Sequence, residues 1–193
     1  MAANPQGRGR PPPCGQDCGG GSLTGCALYR IRRLGPADVS VYRSIRLDAL
    51  ARHPDVFGSS YEEEARLADA EFLRMMNTPP GFTLGGFADA ALVGIAGLYV
   101  SSRKKQRHKG SVVGVYVLPD HRRHGLAGRM LAELIAEARR AALRVIELAV
   151  TVGNDPARRL YGRLGFQTYG IERLALEVGQ DYLDEELMAL VLD

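Results

Sequence analysis

The chain has 193 residues, enough for one ordinary domain with a full hydrophobic core. Apolar residues make up 46% and charged residues 24%, a soluble globular balance, and no apolar run approaches the roughly 20 residues of a membrane span. The formal charge of +3 is too small to argue for nucleic acid, and no continuous apolar leader opens the sequence, so the expected location is the cytoplasm.

Residues 1–26 are rich in glycine, proline and polar residues, including Pro11-Pro12-Pro13 and Gly19-Gly20-Gly21. Such a composition buries too little apolar surface to offset chain entropy and predicts a disordered tail, with a single domain over 27–193. The only cysteines, Cys14, Cys18 and Cys26, fall in this tail. Their spacing matches no zinc signature, so no metal site is expected. Alternation from Leu28 to Arg32 predicts a first strand. Pro36-Ala37-Asp38 opens a helical stretch to about Ala51, and Glu62 to Met76 reads as a second helix with Phe72, Leu73 and Met76 on its apolar side. Asn77-Thr78-Pro79-Pro80-Gly81 stops it. Strand-like runs follow at Phe82–Phe87, Leu92–Val100 and Ser111–Val117, an antiparallel meander. The dense basic run from Arg103 to Lys109, which holds all three lysines, is expected to be a solvated hairpin tip rather than a nucleic-acid footprint.

From Gly125 the period changes: Leu126, Met130, Leu131, Leu134, Ile135 and Ala138 fall on one helical face. Arg144–Val152 reads as a strand with Ile146, Leu148, Val150 and Val152 on one side. Asp155-Pro156 supplies an N-cap and first-turn proline for a short helix that ends at Gly165. Two last strands are expected near Gln167–Glu177 and Glu186–Leu192. The fold class is therefore α/β of the α+β type, a mixed, largely antiparallel twisted sheet flanked by helices.

The most informative segment is the passage from Val115-Tyr116-Val117 through Arg122-Arg123-His124-Gly125 into the long helix. A strand feeding a glycine-bearing turn at a helix N-terminus leaves several backbone N–H groups pointing one way, an anion site reinforced by the helix dipole. Gly125 lets the backbone approach a phosphate, small Ala127 and Gly128 keep the first turn open, and Arg122, Arg123 and Arg129 add charge. Neither a Walker loop nor a Rossmann fingerprint is present.

Arg122-x-x-Gly125-x-Ala127 resembles the Arg/Gln-x-x-Gly-x-Gly/Ala motif of the GNAT superfamily of N-acetyltransferases. A second stretch, Asn154-x-x-Ala157-x-x-Leu160-Tyr161-x-x-x-Gly165-Phe166, resembles that family's second signature. The resemblance spans roughly residues 28–192 and is dense from about 111 to 166. It implies acetyl-CoA as co-substrate, with Val115, Tyr116 and Val117 pairing its pantetheine arm. Arg122, Arg123, His124, Gly125, Leu126, Ala127 and Gly128 would hold its pyrophosphate. It further implies that Asn154 contacts the arm and that Tyr161 lies beside the sulfur.

Acyl transfer expels a thiolate, and a tyrosine hydroxyl with an ordinary pKa of roughly 10 can donate a proton to it, so Tyr161 is the expected general acid. The attacking amine must lose a proton. Some family members place a glutamate five residues before the asparagine, but Ala149 stands there. Glu147 shares its face, Glu62, Glu63, Glu64 and Glu172 read as solvated carboxylates, and relay through water stays open, so the base is unassigned. Phe57–Glu64 is a plausible wall of the acceptor site. The partner expected is an amine, in a small molecule or on a protein, and neither nucleic acid nor membrane. The apolar run Leu187–Leu192 suits a homodimer. The alternative is a non-catalytic acyl-CoA-binding module.

Overall fold

The computed structural model describes residues 29–192, so the predicted tail and its cysteines lie outside the described residues. One seven-stranded sheet runs in the order β1-β2-β3-β4-β5-β7-β6. β1 (Arg30–Arg33), β2 (Phe82–Ala88), β3 (Ala91–Val100) and β4 (Lys109–Val117) form the antiparallel meander, with the basic run as its exposed β3–β4 tip. α4 (Leu126–Arg140) crosses over to β5 (Val145–Thr151), which lies parallel to β4. After α5 (Asp155–Arg163), β6 (Gln167–Val178) and β7 (Asp181–Val191) complete the sheet, with β7 inserted beside β5.

One core packs α4 and α5 onto the sheet through Met130, Leu131, Leu134, Ile146, Leu148 and Phe166. A second core, on the opposite face, joins α1 (Val39–Arg52) and α3 (Asp69–Met76) to β2 and β3 through Ile45, Ala49, Phe72 and Ile95. The predicted second helix is broken: α2 (Tyr61–Glu64) ends after one turn and α3 restarts at Asp69. Both pieces carry a glutamate three residues past the cap that binds back to it, Glu63 to the Ser60 amide at 3.0 Å and Glu71 to the Ala68 amide at 3.0 Å. Two successive start signals therefore override the continuous apolar period.

Three further expectations change. Asn154, not Asp155, caps α5, and its side chain accepts from the Ala157 amide at 3.3 Å. β5 stops at Thr151, leaving Val152 54% exposed rather than in the core. β7 begins at Asp181 rather than near Glu186, and it sits inside the sheet between β5 and β6.

The start of α4 lies unusually close to the sheet. Gly86 of β2 and Gly94 of β3 are register partners, and a Cβ at Gly94 would stand 2.9 Å from Met130 Cε and 3.2 Å from Leu126 Cδ2. These two glycines fix how deep the helix sits and hence where its N-terminal turn emerges. Replacing Gly94 by valine should destabilise the fold by about 1–3 kcal/mol through overpacking, seen as a lowered midpoint in chemical denaturation.

Candidate active site

β4 and β5 share only three register pairs, Lys109↔Val145, Gly110↔Ile146 and Ser111↔Glu147, and then separate. The parting follows from a kink in β4: Gly114 adopts φ +61°, and the register to β3 slips between Ile95 and Gly97. Glycine takes up that left-handed conformation without the Cβ penalty of other residues. The wedge so opened exposes the backbone edge of Val113–Val117 on one side and of Leu148–Thr151 on the other.

At the far end of β4, Pro119–His121 makes one 3₁₀ turn and the chain swings into α4. Arg123 at φ +64° and Gly125 at φ +78° alternate with ordinary residues, a pattern that turns successive amides to the same side. Among the described residues no acceptor is bonded to any amide from Arg123 to Gly128; the ladder resumes with Arg129 N–H to Gly125 C=O at 3.1 Å. This is a cradle of aligned donors at the positive end of a 15-residue helix. A Cβ at Gly125 would meet nothing within 4 Å, so the glycine serves the backbone angle and leaves open space above it.

A cleft of about 690 Å³ runs along the wedge below the cradle. Val115, Tyr116, Val117, Arg122, Ala127 and Asn154 line it, along with His53, Val56 and Phe57 from the loop after α1. Arg123, His124, Gly125, Leu126 and Gly128 form the cradle at its end. The Arg122 side chain is turned back: its Nε donates to the Val117 carbonyl at 2.8 Å and its Nη2 lies 2.9 Å from His53 Nε2. It braces the turn against the strand. Leu126 is buried in the core, so it offers only its amide.

Tyr161 is 8% exposed, edge-on to Phe166 with ring centroids 5.9 Å apart. Its helix neighbours Ala157 and Leu160 line the cleft, whereas its own ring packs behind them into the core. Burial pushes its hydroxyl up to about 12, and the hydroxyl bonds to no described residue.

A second cavity of about 450 Å³ adjoins the first across Val56 and Phe57, on the side of the wedge where the strands still pair. Glu147, Ala149, Tyr169, Glu185 and Leu187 line it from the sheet, and Gly58 and Ser59 from the loop. Thr151 Oγ1 donates to the Asp55 carbonyl at 2.8 Å, which pins that loop across the wedge. Of the carboxylates considered in the sequence, Glu147 is held by Lys109 at 2.7 Å and Glu63 closes its helix cap. Glu64 is not a solvated carboxylate. It is 3% exposed and grips Arg46, whose Nε and Nη2 donate to its two oxygens at 2.9 and 2.6 Å. A guanidinium keeps its charge when buried, so a carboxylate partner is needed to offset the cost of burial, and one member of the acidic run at the start of α2 turns inward to supply it.

Glu185 was not among the sequence candidates. On β7, it stands opposite Thr151 of β5 and opposite Glu172 of β6. Burial first, and then the like charge of Glu172, raise its carboxyl above the ordinary range. The one available signal was its alternation with Leu187 on one face of the strand.

A description of the acetyltransferase (GNAT) family matches residues 42–166, about two-thirds of the chain. The chain belongs to the GNAT acetyltransferase family. Among solved structures, a GNAT-family acetyltransferase from Streptococcus pneumoniae superposes with a TM-score of 0.76 at 23% identity, covering 86% of this chain and 99% of that one. A putative acetyltransferase from Salmonella typhimurium, solved with acetyl-CoA, gives 0.75 at 24% identity, covering 86% and 94%. A phosphinothricin acetyltransferase from Sinorhizobium meliloti, also in complex with acetyl-CoA, gives 0.73 at 18% identity, covering 85% and 88%. At these identities the likeness is one of fold. Among the described residues no helix is long and apolar enough to cross a membrane.

The Arg46–Glu64 pair sits at the wall of the second cavity, so its integrity shapes that cavity. Glu64→Leu should destabilise the protein by about 3–5 kcal/mol, because the guanidinium is left buried without its counter-charge. Urea denaturation monitored by circular dichroism measures it.

Proposed function

We propose that this GNAT acetyltransferase moves the acetyl group of acetyl-CoA to a primary amine by direct attack within a ternary complex. The observation that carries the reading is the unbroken run of unpaired amides from Arg123 to Gly128 at the mouth of a wedge with free strand edges. The cradle suits a pyrophosphate, and the exposed edges of Val115–Val117 suit the amide groups of a pantetheine arm, which would complete the interrupted ladder. Asn154 spends its carbonyl oxygen on capping α5, so its amide N–H groups are what it offers to the arm.

In the transfer, the amine nitrogen forms a bond to the acetyl carbon as the carbon–sulfur bond breaks. The amine proton goes to a carboxylate, and the leaving sulfur takes a proton. We assign the first role to Glu185, in the cavity beyond the wedge, where a raised carboxyl is a better match to an ammonium than an ordinary one. Tyr161 is assigned the second role. Held near 12, its hydroxyl stays protonated throughout the working pH range and is available to donate. Glu147 and Glu185 together favour a cationic amine in that cavity.

The second reading, an acyl-CoA-binding module without turnover, draws support from the position of the Tyr161 ring behind the cleft wall. Tyr161→Phe separates the two. The enzyme should lose about 10²–10⁴-fold in kcat while its acetyl-CoA Kd stays within about twofold, by thiol-release assay and calorimetry; unchanged turnover removes Tyr161 from the mechanism.

The base assignment has a pH signature. A general base works as the carboxylate, so kcat/KM should fall as pH drops through the raised Glu185 value. Glu172→Gln removes one cause of the elevation and should shift that acid limb to lower pH, whereas Glu185→Gln should abolish it. An acid limb that ignores both changes excludes Glu185.

A cradle test is independent of chemistry. Gly125→Val places a β-branched residue at φ +78° and should weaken acetyl-CoA binding at least about tenfold, with little change for an amine ligand, in calorimetric titrations.

A further inference from the structure

A third cavity lies beside the acceptor-side one, on the face of the sheet covered by α1 and α3, and has a volume of about 260 Å³. The two meet at Arg46, Val113 and Gly114, the point where β4 kinks. Its walls are mainly apolar, with Met75, Tyr99 and Val113 contributing side chains. Of the polar side chains that line it, three are more than nine-tenths buried: Tyr42 at 7% exposure, Thr83 at 4% and Arg46 at 8%.

Among the described residues, none of these three has a partner for its cavity-side polar atom. Among the described residues the Tyr42 hydroxyl and Thr83 Oγ1 make no hydrogen bond. Arg46 commits Nε and Nη2 to Glu64 and leaves Nη1 free. A Cβ on Gly114 would stand 3.6 Å from that Nη1, so the glycine also keeps the threshold between the two cavities narrow-walled and bare. All three atoms reach the open space of the cavity, since among the described residues only Arg43 Nε is a fully buried side-chain atom without a partner, so they are free to bond a ligand there. Three around one apolar chamber describe a fixed hydrogen-bonding head group site.

The charge state selects the head group. Glu64 already neutralises Arg46 through two bonds, so the chamber has no spare positive charge. A neutral oxygen, carbonyl or hydroxyl, takes the Nη1 donor without facing Glu64 as a second anion would. The size is that of a substrate fragment, below the range of pockets that enclose whole ligands. Thr83, Gly97 and Val113 are register partners across β2, β3 and β4, which puts Thr83 about 10 Å from the wedge at two strand spacings. An extended chain covers roughly 3.5 Å per three bonds, so about eight or nine bonds connect the two points.

We propose that this chamber holds the far end of the acceptor: an amine whose apolar chain of about eight or nine bonds ends in a neutral carbonyl or hydroxyl, bonded by Tyr42, Thr83 and Arg46. The proposal rests on the acetyl-transfer reading for the position of the amine, and deepens it by naming the acceptor class.

The test uses the full chain and amides bearing the amine at the opposite end: aminobutanamide, aminohexanamide, aminooctanamide and aminodecanamide. Octylamine, aminooctanoate and methylamine are the comparisons. Thiol release from acetyl-CoA should peak in kcat/KM near aminohexanamide or aminooctanamide, with octylamine and aminooctanoate poorer. Thr83→Val and Tyr42→Phe, which remove one hydroxyl each with little change of shape, should each raise KM for aminooctanamide about tenfold and leave methylamine and acetyl-CoA parameters unchanged. Octanamide, which carries no amine, provides a readout without turnover. It should shift the Met75 methyl resonance and lose affinity in Thr83→Val. If no amine is acetylated yet octanamide binds in this way, the transfer reading fails and the chamber stands. The inference is overturned by amine turnover without chain-length preference, by preference for aminooctanoate over the amide, or by octanamide binding that neither variant weakens.

Discussion

The parting of β4 from β5 after three pairs is the constraint on which the rest of the molecule depends. A sheet of seven strands would be more stable zipped to its end, since each unpaired backbone group in a buried setting is costly. Here two strand edges are held apart by several local choices that agree with one another. Gly114 kinks β4 away, α5 and its cap occupy the end of β5, and the Asp55–Thr151 bond draws the loop after α1 across the gap. Gly86 and Gly94 let α4 settle low enough that its N-terminus points into the same opening. Remove any one and the wedge loses either its width, its roof or its anion cradle.

Charge is distributed along this opening in a consistent order. The cradle end presents amides and a helix dipole, and the cleft below it has Asp55 in its lining, whereas the second cavity holds both Glu147 and Glu185. Between them Val56, Phe57, Val115 and Val117 supply apolar wall beside the polar His53, Thr151 and Tyr116, the last with its hydroxyl bonded to Asp48 at 2.8 Å. An anion at the cradle and a cation beside the two glutamates would therefore be held at opposite ends of the opening.

The parts of this arrangement that were legible in the sequence are those set by local rules. Gly125 after Arg122, and the apolar period from Leu126 to Ala138, located the turn and its helix because both depend on neighbours within a few residues. The meander was legible for the same reason. Glu64 was misread because its partner, Arg46, is eighteen residues away on another helix, and nothing in Glu62-Glu63-Glu64 marks which carboxylate turns inward. Glu185 escaped because Asp184-Glu185-Glu186 has poor strand propensity, so the last strand was started too late. Its insertion beside β5 is a long-range pairing that fixes both the neighbours and the elevated carboxyl. Likewise the chamber around Tyr42 and Thr83 is assembled from α1, β2, β3 and β4, and no short motif announces it.

The loop wall made by Val56 and Phe57 belongs to the cleft below the cradle and to the cavity of Glu147 and Glu185 at once. A shared wall is a thermodynamic connection. Whatever shift of that wall a ligand on one side selects is felt on the other, and reciprocity then requires each ligand to change the affinity of its counterpart by the same factor. The loop is tied to β5 through a single threonine hydroxyl, so it has a definite resting position from which such a shift is measured. In that respect the molecule is a balance with two pans, one on either side of the wedge, and a common beam at Phe57.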